Sequence, residues 1–513
     1  MNYLKSFFCG FLVLFFSAQL FGQKVLPVRN LTIPKASITA NSATLLWDKP
    51  VKYKEVKSYE IFQDGKLVGQ SSKTNFEAKD LLPNKSYVFL IKAVNKLGEL
   101  SNASNSVNCK TQLPGEVFNI KDFGAKGDGV TKNTLAIQKA INACTKNGTV
   151  LIPAGVFLSG ALHLKSDMTL LIAKGGVLKG SEDVNDYLPF IKNRFEGWEL
   201  KTYASLLNAG TLDHSNGKYN VRNLRICGEG TILGGGSPLG NAMIKAAGLR
   251  GRGRLICIMN GKNIDIQGLN VENSPCWTIH YIYCEDVVLH DLNIISTAHN
   301  GDGIDPDSSI DSYIFNCTFS TGDDCIAIKS GKNPEGYFIG KPSRNIRITD
   351  CNFVKGHSLA IGSEMSGGVS NVFIQDCKIG HLLHGLQIKA TKDRGGYVRN
   401  VIVRDCDLLQ ITLYTAVNYN NDGAPAPEIP LFSNMEFSNL NLSAAKSNEV
   451  VMDINGFADK AHYTKNILFK NIELPSKSIV HIKNCAHLTF KNVLCNDGQK
   501  PQYKIIESDN ILN

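Results

Sequence analysis

Past its N-terminus the 513-residue chain has no apolar run of the about 20 residues that a bilayer-spanning helix needs, so an internal membrane span is not expected. No Cys-x-x-Cys pair and no Cys/His ligand spacing occurs, which argues against a bound metal. The glycines Gly234 to Gly236 have no phosphate-loop context and read as turn chemistry. Basic residues are not interleaved with aromatics, which argues against a nucleic-acid partner. No metal and no cofactor are expected.

The N-terminus itself carries Lys5, an apolar stretch from Phe7 to Phe16, then small Ser17, Ala18 and Gly22. That is the pattern of a secretory signal peptide over 1–22, cut near Gly22–Gln23. A retained anchor is the alternative, but the run is short for a bilayer. A lipid anchor is disfavoured because Cys9 lies inside the run. The mature chain is expected to be secreted or periplasmic, free of the membrane, and a monomer. Net charge of +9 suits an acidic polymer and suits solubility equally.

Residues 25–112 read as short alternating strands, among them SATLLWDK, SYEIFQDGKLVG and SYVFLIKAVNKLG. Asp64–Gly65 marks a hairpin turn. Trp47 sits where a sandwich places a core aromatic, and LLPNKSY, ending at Tyr87, is similar to a tyrosine corner. The stretch resembles a fibronectin type III domain, serving either as a spacer or as a carbohydrate-contacting module. Leu113-Pro114-Gly115 then breaks the pattern as a linker.

From 116 to 513 the organisation changes. A segment from Thr134 to Thr145 has helical spacing (Leu135, Ile137, Ala140, Ile141, Cys144) and is expected to cap the open end of a repeat region. The repeats are NIDIQGLNV from Asn263, DVVLHDLNI from Asp286, NIRITDCNF from Asn345, NVFIQDCKI from Asn371, NVIVRDCDL from Asn400, NMEFSNLNL from Asn434 and NILFKNIEL from Asn466. Neighbouring coils start about 21 to 34 residues apart, too close for independent units and right for a β-solenoid. The expected fold is all-β: a right-handed parallel β-helix preceded by a small antiparallel β-sandwich. Export would permit disulfides among the 14 cysteines. However, Cys317, Cys351, Cys377 and Cys406 share a slot that other coils fill with Leu269, Leu292, Leu440 and Ile472. A slot that accepts leucine points inward, so these are expected to be free core thiols.

Some coils carry an unusual loop: HNGDGIDPDS, STGDDCIAIKSG, KGHSLAIGSE and LLHGLQIKATKDRGG. Aligning Ile304, Ile326, Leu359 and Leu386 places Asp302, Asp324, His357 and His384 in one column. Strands in a sheet lie about 4.8 Å apart, so Asp302 and Asp324 are predicted to face each other with Asp323 alongside. Crowded carboxylates raise one pKa, which suits glycosidic cleavage by one acid and an activated water. A calcium site or a polar ladder is the rival use of such acids. Calcium prefers more oxygen ligands, and the His and Lys column opposes a cation.

These landmarks, with FNIKDFGAKGDGVTKNT and SPCWTIH, run collinearly from Val117 to Asn421, and this region resembles polygalacturonases, glycoside hydrolase family 28. The resemblance implies an inverting hydrolase without a metal, acting on a galacturonic-acid-containing pectic polysaccharide. It implies Asp323 as general acid, Asp302 and Asp324 holding and deprotonating water, and His357 in the proton network of the acid. Lys389 would bind a substrate carboxylate, Asn300 and Gln387 would contact substrate, and Tyr419 would match a subsite tyrosine. Carboxyl groups of inverting enzymes are usually about 6.5–9.5 Å apart. Adjacent aspartates therefore leave retention open on the general rule.

Three departures bear on substrate. Asn300-Gly301-Asp302 stands for Asn-Thr-Asp, Gly356-His357-Ser358 for Gly-His-Gly, and Gln387-Ile388-Lys389 for Arg-Ile-Lys. Glutamine cannot replace the two charged hydrogen bonds of arginine. The sugar on the leaving-group side is then neutral, modified, or held by another base such as Arg394, which favours rhamnogalacturonan-type or exo-galacturonidase specificity. Arg250, Arg252 and Arg254 are expected on a solvated face, with a wall of the anionic-sugar cleft as the rival. A pectate-lyase reaction would want a calcium cage and a basic proton abstractor, and a non-catalytic glycan-binding solenoid would not need the acids.

Overall fold

The computed structural model describes residues 25–215, 217–416 and 423–513. The expected leader over 1–22 lies outside these. The chain divides into two compact units. One takes the chain up to Thr32, Leu45–Phe76 and Tyr87–Asn108; the other takes Ile33–Thr44, Glu77–Ser86 and Cys109–Asn513.

The N-terminal strands form two antiparallel sheets. Arg29–Thr32, Ala43–Asp48 and Asn75–Ala78 make one; Lys66–Ser71, Val56–Gln63, Ser86–Asn95 and Val107–Lys110 make the other. Trp47 is buried and meets Tyr59 edge-on at 5.3 Å, and Tyr87 lies buried beside Phe89. Asp64 and Gly65 both have positive φ (49° and 81°), the turn geometry that matches strand twist and joins Val56–Gln63 to Lys66–Ser71.

From Gly148 the chain winds through coils of short strands, as a right-handed parallel β-helix. One side is a twelve-stranded sheet running from Leu162–Leu164 to Gln502–Ile506; the other strands, apart from the hairpin Ile191–Phe195 and Trp198–Thr202, form a second, larger parallel sheet. The repeat has a backbone cause. Its first residue (Asn263, Asn345, Asn371, Asn400, Asn434, Asn466) has φ between 56° and 58°. Its sixth (Asp350, Asp376, Asp405, Asn439, Asn471) has φ between 52° and 55°. Asn and Asp tolerate this left-handed region better than other side chains, so they mark the bends. Stacked amides then pair: Asn371 Nδ2 donates to Asn345 Oδ1 at 3.0 Å, and Asn400 Nδ2 to Asn371 Oδ1 at 3.1 Å.

Between the bends, alternate side chains point into one continuous core. Phe319 stacks on Phe353 at 5.0 Å, and Phe437 on Phe469 at 5.1 Å. Cys317, Cys351, Cys377 and Cys406 lie on successive coils, followed in register by Leu440 and Ile472. They are buried and free, as are nearly all the thirteen described cysteines; Cys227 alone is half-buried. Burial pushes the thiols of Cys351, Cys377 and Cys406 well above their usual range. The helix Thr134–Ala143 closes the first coil, with Ile137, Ala140 and Ile141 joining the core of Val150, Phe157 and Leu162. Leu135 departs from the expected stripe. It stands two residues before Ile137, on the opposite helix face, and is exposed. Among the described residues no helix is long and apolar enough to cross a membrane.

Candidate active site

The site forms where strands of the twelve-stranded sheet begin. Ile304, Ile326, Leu359 and Leu386 are register partners on four consecutive strands, as the sequence alignment predicts. Asp302, Asp324, His357 and His384 precede them by two residues and stand on adjacent rungs. Backbone bonds fasten this arrangement. The Gly303 N–H donates to the Asp324 carbonyl (3.0 Å), the His357 N–H to the Asp323 carbonyl (2.8 Å), and the His384 N–H to the His357 carbonyl (2.8 Å). The approach demands glycine: a Cβ on Gly303 would lie 2.4 Å from the Cys325 carbonyl oxygen. One on Gly301 would lie 2.6 Å from the Ala298 carbonyl oxygen, which accounts for Gly in the Asn-Gly-Asp departure.

Each acid has its own basic partner. Asp324 Oδ2 accepts from Lys389 Nζ at 2.9 Å, and its Oδ1 accepts from the hydroxyl of Ser358. Ser358, a departure in the sequence pattern, thus holds a carboxylate. Asp323 Oδ1 lies 2.9 Å from His357 Nδ1. Asp302 Oδ2 lies 3.3 Å from Lys329 Nζ, which also meets Asp305 Oδ1 at 3.4 Å and Glu364 Oε2 at 3.6 Å. The side chains of Asp302 and Asp324 are each 4% exposed, while Asp323 is 21% and His357 45% exposed. The Asp323–His357 pair therefore faces solvent above the two buried acids.

The electrostatics divide the acids. Burial pushes the Asp302 carboxyl up; Lys329 opposes the rise and the charges of Asp323 and Asp324 add to it, leaving it at about 7. Burial and the neighbouring Asp302 hold Asp305 well above the carboxylate range. Asp323 goes the other way: burial raises it, but the hydrogen bond from His357 together with the charges of His357, Lys389 and Lys329 outweighs that and leaves it below its ordinary value. The same bond raises His357. Glu364, despite burial, is brought down to about 2 by Lys329, Arg394 and Lys389.

Sequence reasoning assigned no role to Lys329, Asp305, Glu364 or Ser358. The signal for Lys329 was present: Ile326-Ala-Ile328-Lys329 repeats the Leu386-Gln-Ile388-Lys389 pattern that identified Lys389. Beneath Lys329 lies Trp277, 4.4 Å from Nζ to the ring centroid, itself stacked on Phe195 at 5.0 Å. Phe195 ends a strand of the hairpin Ile191–Phe195 and Trp198–Thr202, another unforeseen element.

Two expectations are corrected. Arg252 and Arg254 do not lie on a solvated face; both are 1% exposed. Arg254 packs between Phe195 (4.3 Å) and Trp277 (4.6 Å), and its Nη2 donates to the Arg194 carbonyl. Arg252 donates to the His299 carbonyl (2.6 Å) and to Asn300 Oδ1 (2.7 Å), so it orients Asn300 from below. Arg394 does not offer its guanidinium to a sugar. It is fully buried, donating to Asn333 Oδ1 at 2.7 Å and to the Ser363 carbonyl at 2.9 Å.

Gln387 lies in register between Ala360 and Thr412, and Lys389 pairs in register with Tyr414, which is 39% exposed. Tyr419 lies outside the described residues. Among the described residues no cluster of His, Cys, Asp or Glu could hold a metal ion, and the acids around Asp302 surround an ammonium instead.

Comparison with known proteins fits this geometry. The profile of the fibronectin type III domain matches residues 26–110, and that of glycosyl hydrolases family 28 matches residues 144–496. The chain is 28% identical to an exo-poly-alpha-D-galacturonosidase of Dickeya chrysanthemi, over 91% of this chain and 90% of that one. It is 30% identical to an endo-polygalacturonase of Pectobacterium parmentieri, over 70% and 88% of the two chains. The solved family 28 exopolygalacturonase of Yersinia enterocolitica superposes with a TM-score of 0.83 at 25% identity, covering 94% of this chain and 99% of that one. The chain is an O-glycosyl hydrolase that belongs to glycosyl hydrolases family 28.

Proposed function

We propose that this protein, exported and acting as a monomer, hydrolyses galacturonide bonds of pectic polysaccharides with inversion. Membership of the family supports a pectin-degrading activity, and the finer assignments are drawn from the site. The observation that carries them is the convergence of Asp302, Asp323 and Asp324 on adjacent rungs, each with its own basic partner. Asp323, the more exposed acid, delivers a proton to the leaving glycosidic oxygen and draws it from the pair it forms with His357. Asp302 and Asp324 hold a water and take its proton as the oxygen bonds to the anomeric carbon. Lys389 and Asn300 contact the sugar, with Gln387 beside the leaving-group side.

Exo action is favoured over endo action. Whole-length relatives carry exo-acting names, and Gln387 lacks the charge to grip a second internal uronate. The hairpin Ile191–Thr202 adds a wall: Phe195 reaches Trp277 beside the acids, and Trp198 Nε1 donates to the Asn333 carbonyl at 3.0 Å. The test is digestion of homogalacturonan, rhamnogalacturonan and their oligomers, with products identified by mass and the anomer of the first product by NMR. Monomer release from homogalacturonan with inverted configuration is expected. Long internal fragments overturn exo action, retained configuration overturns inversion, and unsaturated products overturn hydrolysis. N-terminal sequencing of the exported chain checks cleavage near Gln23.

A further inference from the structure

Lys329 meets three carboxylates and an aromatic ring at once. Its ammonium lies within 3.3 Å to 3.6 Å of Asp302, Asp305 and Glu364 and sits over the Trp277 ring. It is 4% exposed. Three buried carboxylates around one buried cation leave excess negative charge, which a low-dielectric interior tolerates only if a proton is bound. The geometry says where that proton belongs. The Asp302 and Asp305 side chains are within hydrogen-bonding reach of each other, and among the described residues no other hydrogen bond reaches either oxygen of Asp305 or Oδ1 of Asp302, although all three atoms are buried. Glu364 is different: Arg394 and Lys389 face it along with Lys329, so it stays ionised. Asp302 and Asp305 are thus left to share the proton and to compete for one ammonium.

We infer that Lys329 is a positioning residue that fixes both the direction and the ionisation of Asp302, with Asp305 as the neutral proton holder beside it. This rests on the assignment of Asp302 to water activation. A carboxylate that must take a proton from water has to be ionised beforehand. The groups facing Asp302 are Lys329, Asp305, Asp323 and Asp324, with Arg252 also within electrostatic reach; Arg254 faces Asp305. Among the described residues, Lys329 is the cation that contacts an Asp302 oxygen directly. Glu364 draws on the same ammonium from its other side, so the strength of Lys329 toward Asp302 is set by how tightly Glu364 holds it. Moving a proton from Asp302 to solvent thereby readies the base, while the Asp305 proton stays inside the cluster.

The test uses full-length protein labelled with 13C-carboxyl aspartate, the Asp302 signal being identified by its disappearance in Asp302→Asn. An opposite charge in direct contact lowers a carboxyl pKa by about 1–3 pH units. Titration of the Lys329→Met protein is therefore expected to move the Asp302 midpoint up by about that amount. Glu364→Gln is expected to move it down, because it removes an anionic competitor for the ammonium, whereas Asp305→Asn, which exchanges a neutral acid for a neutral amide, is expected to leave it nearly unmoved. The acid limb of the kcat–pH profile should follow the same pattern, up, down and unmoved, while KM changes less than kcat. Coincident midpoints in wild type and Glu364→Gln, or an unmoved midpoint in Lys329→Met, would overturn the role of Lys329. If Lys329→Met does not fold, the downward shift in Glu364→Gln against an unmoved midpoint in Asp305→Asn still decides, and an Asp305→Asn midpoint that falls as far as that of Glu364→Gln would overturn the neutral Asp305. Failure of wild type to release reducing sugar overturns the functional assignment instead, and the carboxyl titration separates the two.

Discussion

Lys389 Nζ lies 2.9 Å from Asp324 Oδ2, although 65 residues separate them in the chain. Two turns of the ribbon lie between them, and the pairing exists because the ribbon returns to the same place on each turn. It makes Lys389 the partner of a buried acid, and on the proposed function the same ammonium also meets a uronate. Lys389→Met is expected to raise KM and lower kcat together, with a loss in kcat/KM of about 100-fold or more, since charged hydrogen bonds are the strong ones. Steady-state kinetics on oligogalacturonates measures both; a change in KM alone would confine Lys389 to binding.

In the proposed mechanism His357 supplies the alkaline limb of the pH profile. Its raised pKa means that the proton of the His357–Asp323 pair is held past the ordinary imidazole range and lost as pH rises through the folded value. In His357→Ala, Asp323 must hold that proton alone, so the alkaline limb of kcat should move to lower pH and kcat fall by about 10-fold or more. A kcat–pH profile of the two proteins checks this.

Asp302 makes a stability prediction of known sign. Its folded value of about 7 lies above the ordinary aspartate value, so the folded state binds more protons than the unfolded state between about pH 4 and 7. The group therefore destabilises the fold progressively as pH rises through that window, by no more than about 1.4 kcal/mol for each pH unit crossed. Asp302→Asn removes that cost. Its Tm relative to wild type should climb across the window and level off above it. A pH-independent difference would contradict the burial effect.

Gln387→Arg should shift relative activity toward homogalacturonan over rhamnogalacturonan fragments by about 10-fold, by restoring a bidentate grip on a carboxylate. Equal ratios of kcat/KM before and after the substitution would place the specificity elsewhere.

The stack of thiols predicts a titration count. With thirteen described cysteines free and all but Cys227 buried, the native protein should react with a thiol reagent at no more than about one site, and the unreduced unfolded protein at thirteen or more. Fewer equivalents after unfolding would reveal disulfides.

Much of this was legible beforehand because a solenoid converts sequence register into spatial register. The slot shared by Cys317 and Leu440 identified an inward position, and the alignment of Ile304 with Ile326 placed two acids on neighbouring rungs. What was not legible depends on partners with no fixed spacing. Arg254 is buried because Phe195 and Trp277 enclose it, and nothing within the run Arg250 to Arg254 signals those rings. Arg394 reads as a free base until Asn333 and Ser363 are seen to take its donors. Glu364 reaches the acids through Lys329, which lies 35 residues earlier and belongs to another rung.

The most direct test compares reducing-end release from polygalacturonate by wild type and by Asp302→Asn, Asp323→Asn and Asp324→Asn, each first shown to be folded. If the three carboxylates act together on one bond, every substitution lowers kcat by about 100-fold or more. A variant of any of the three that keeps the wild-type rate contradicts the shared site.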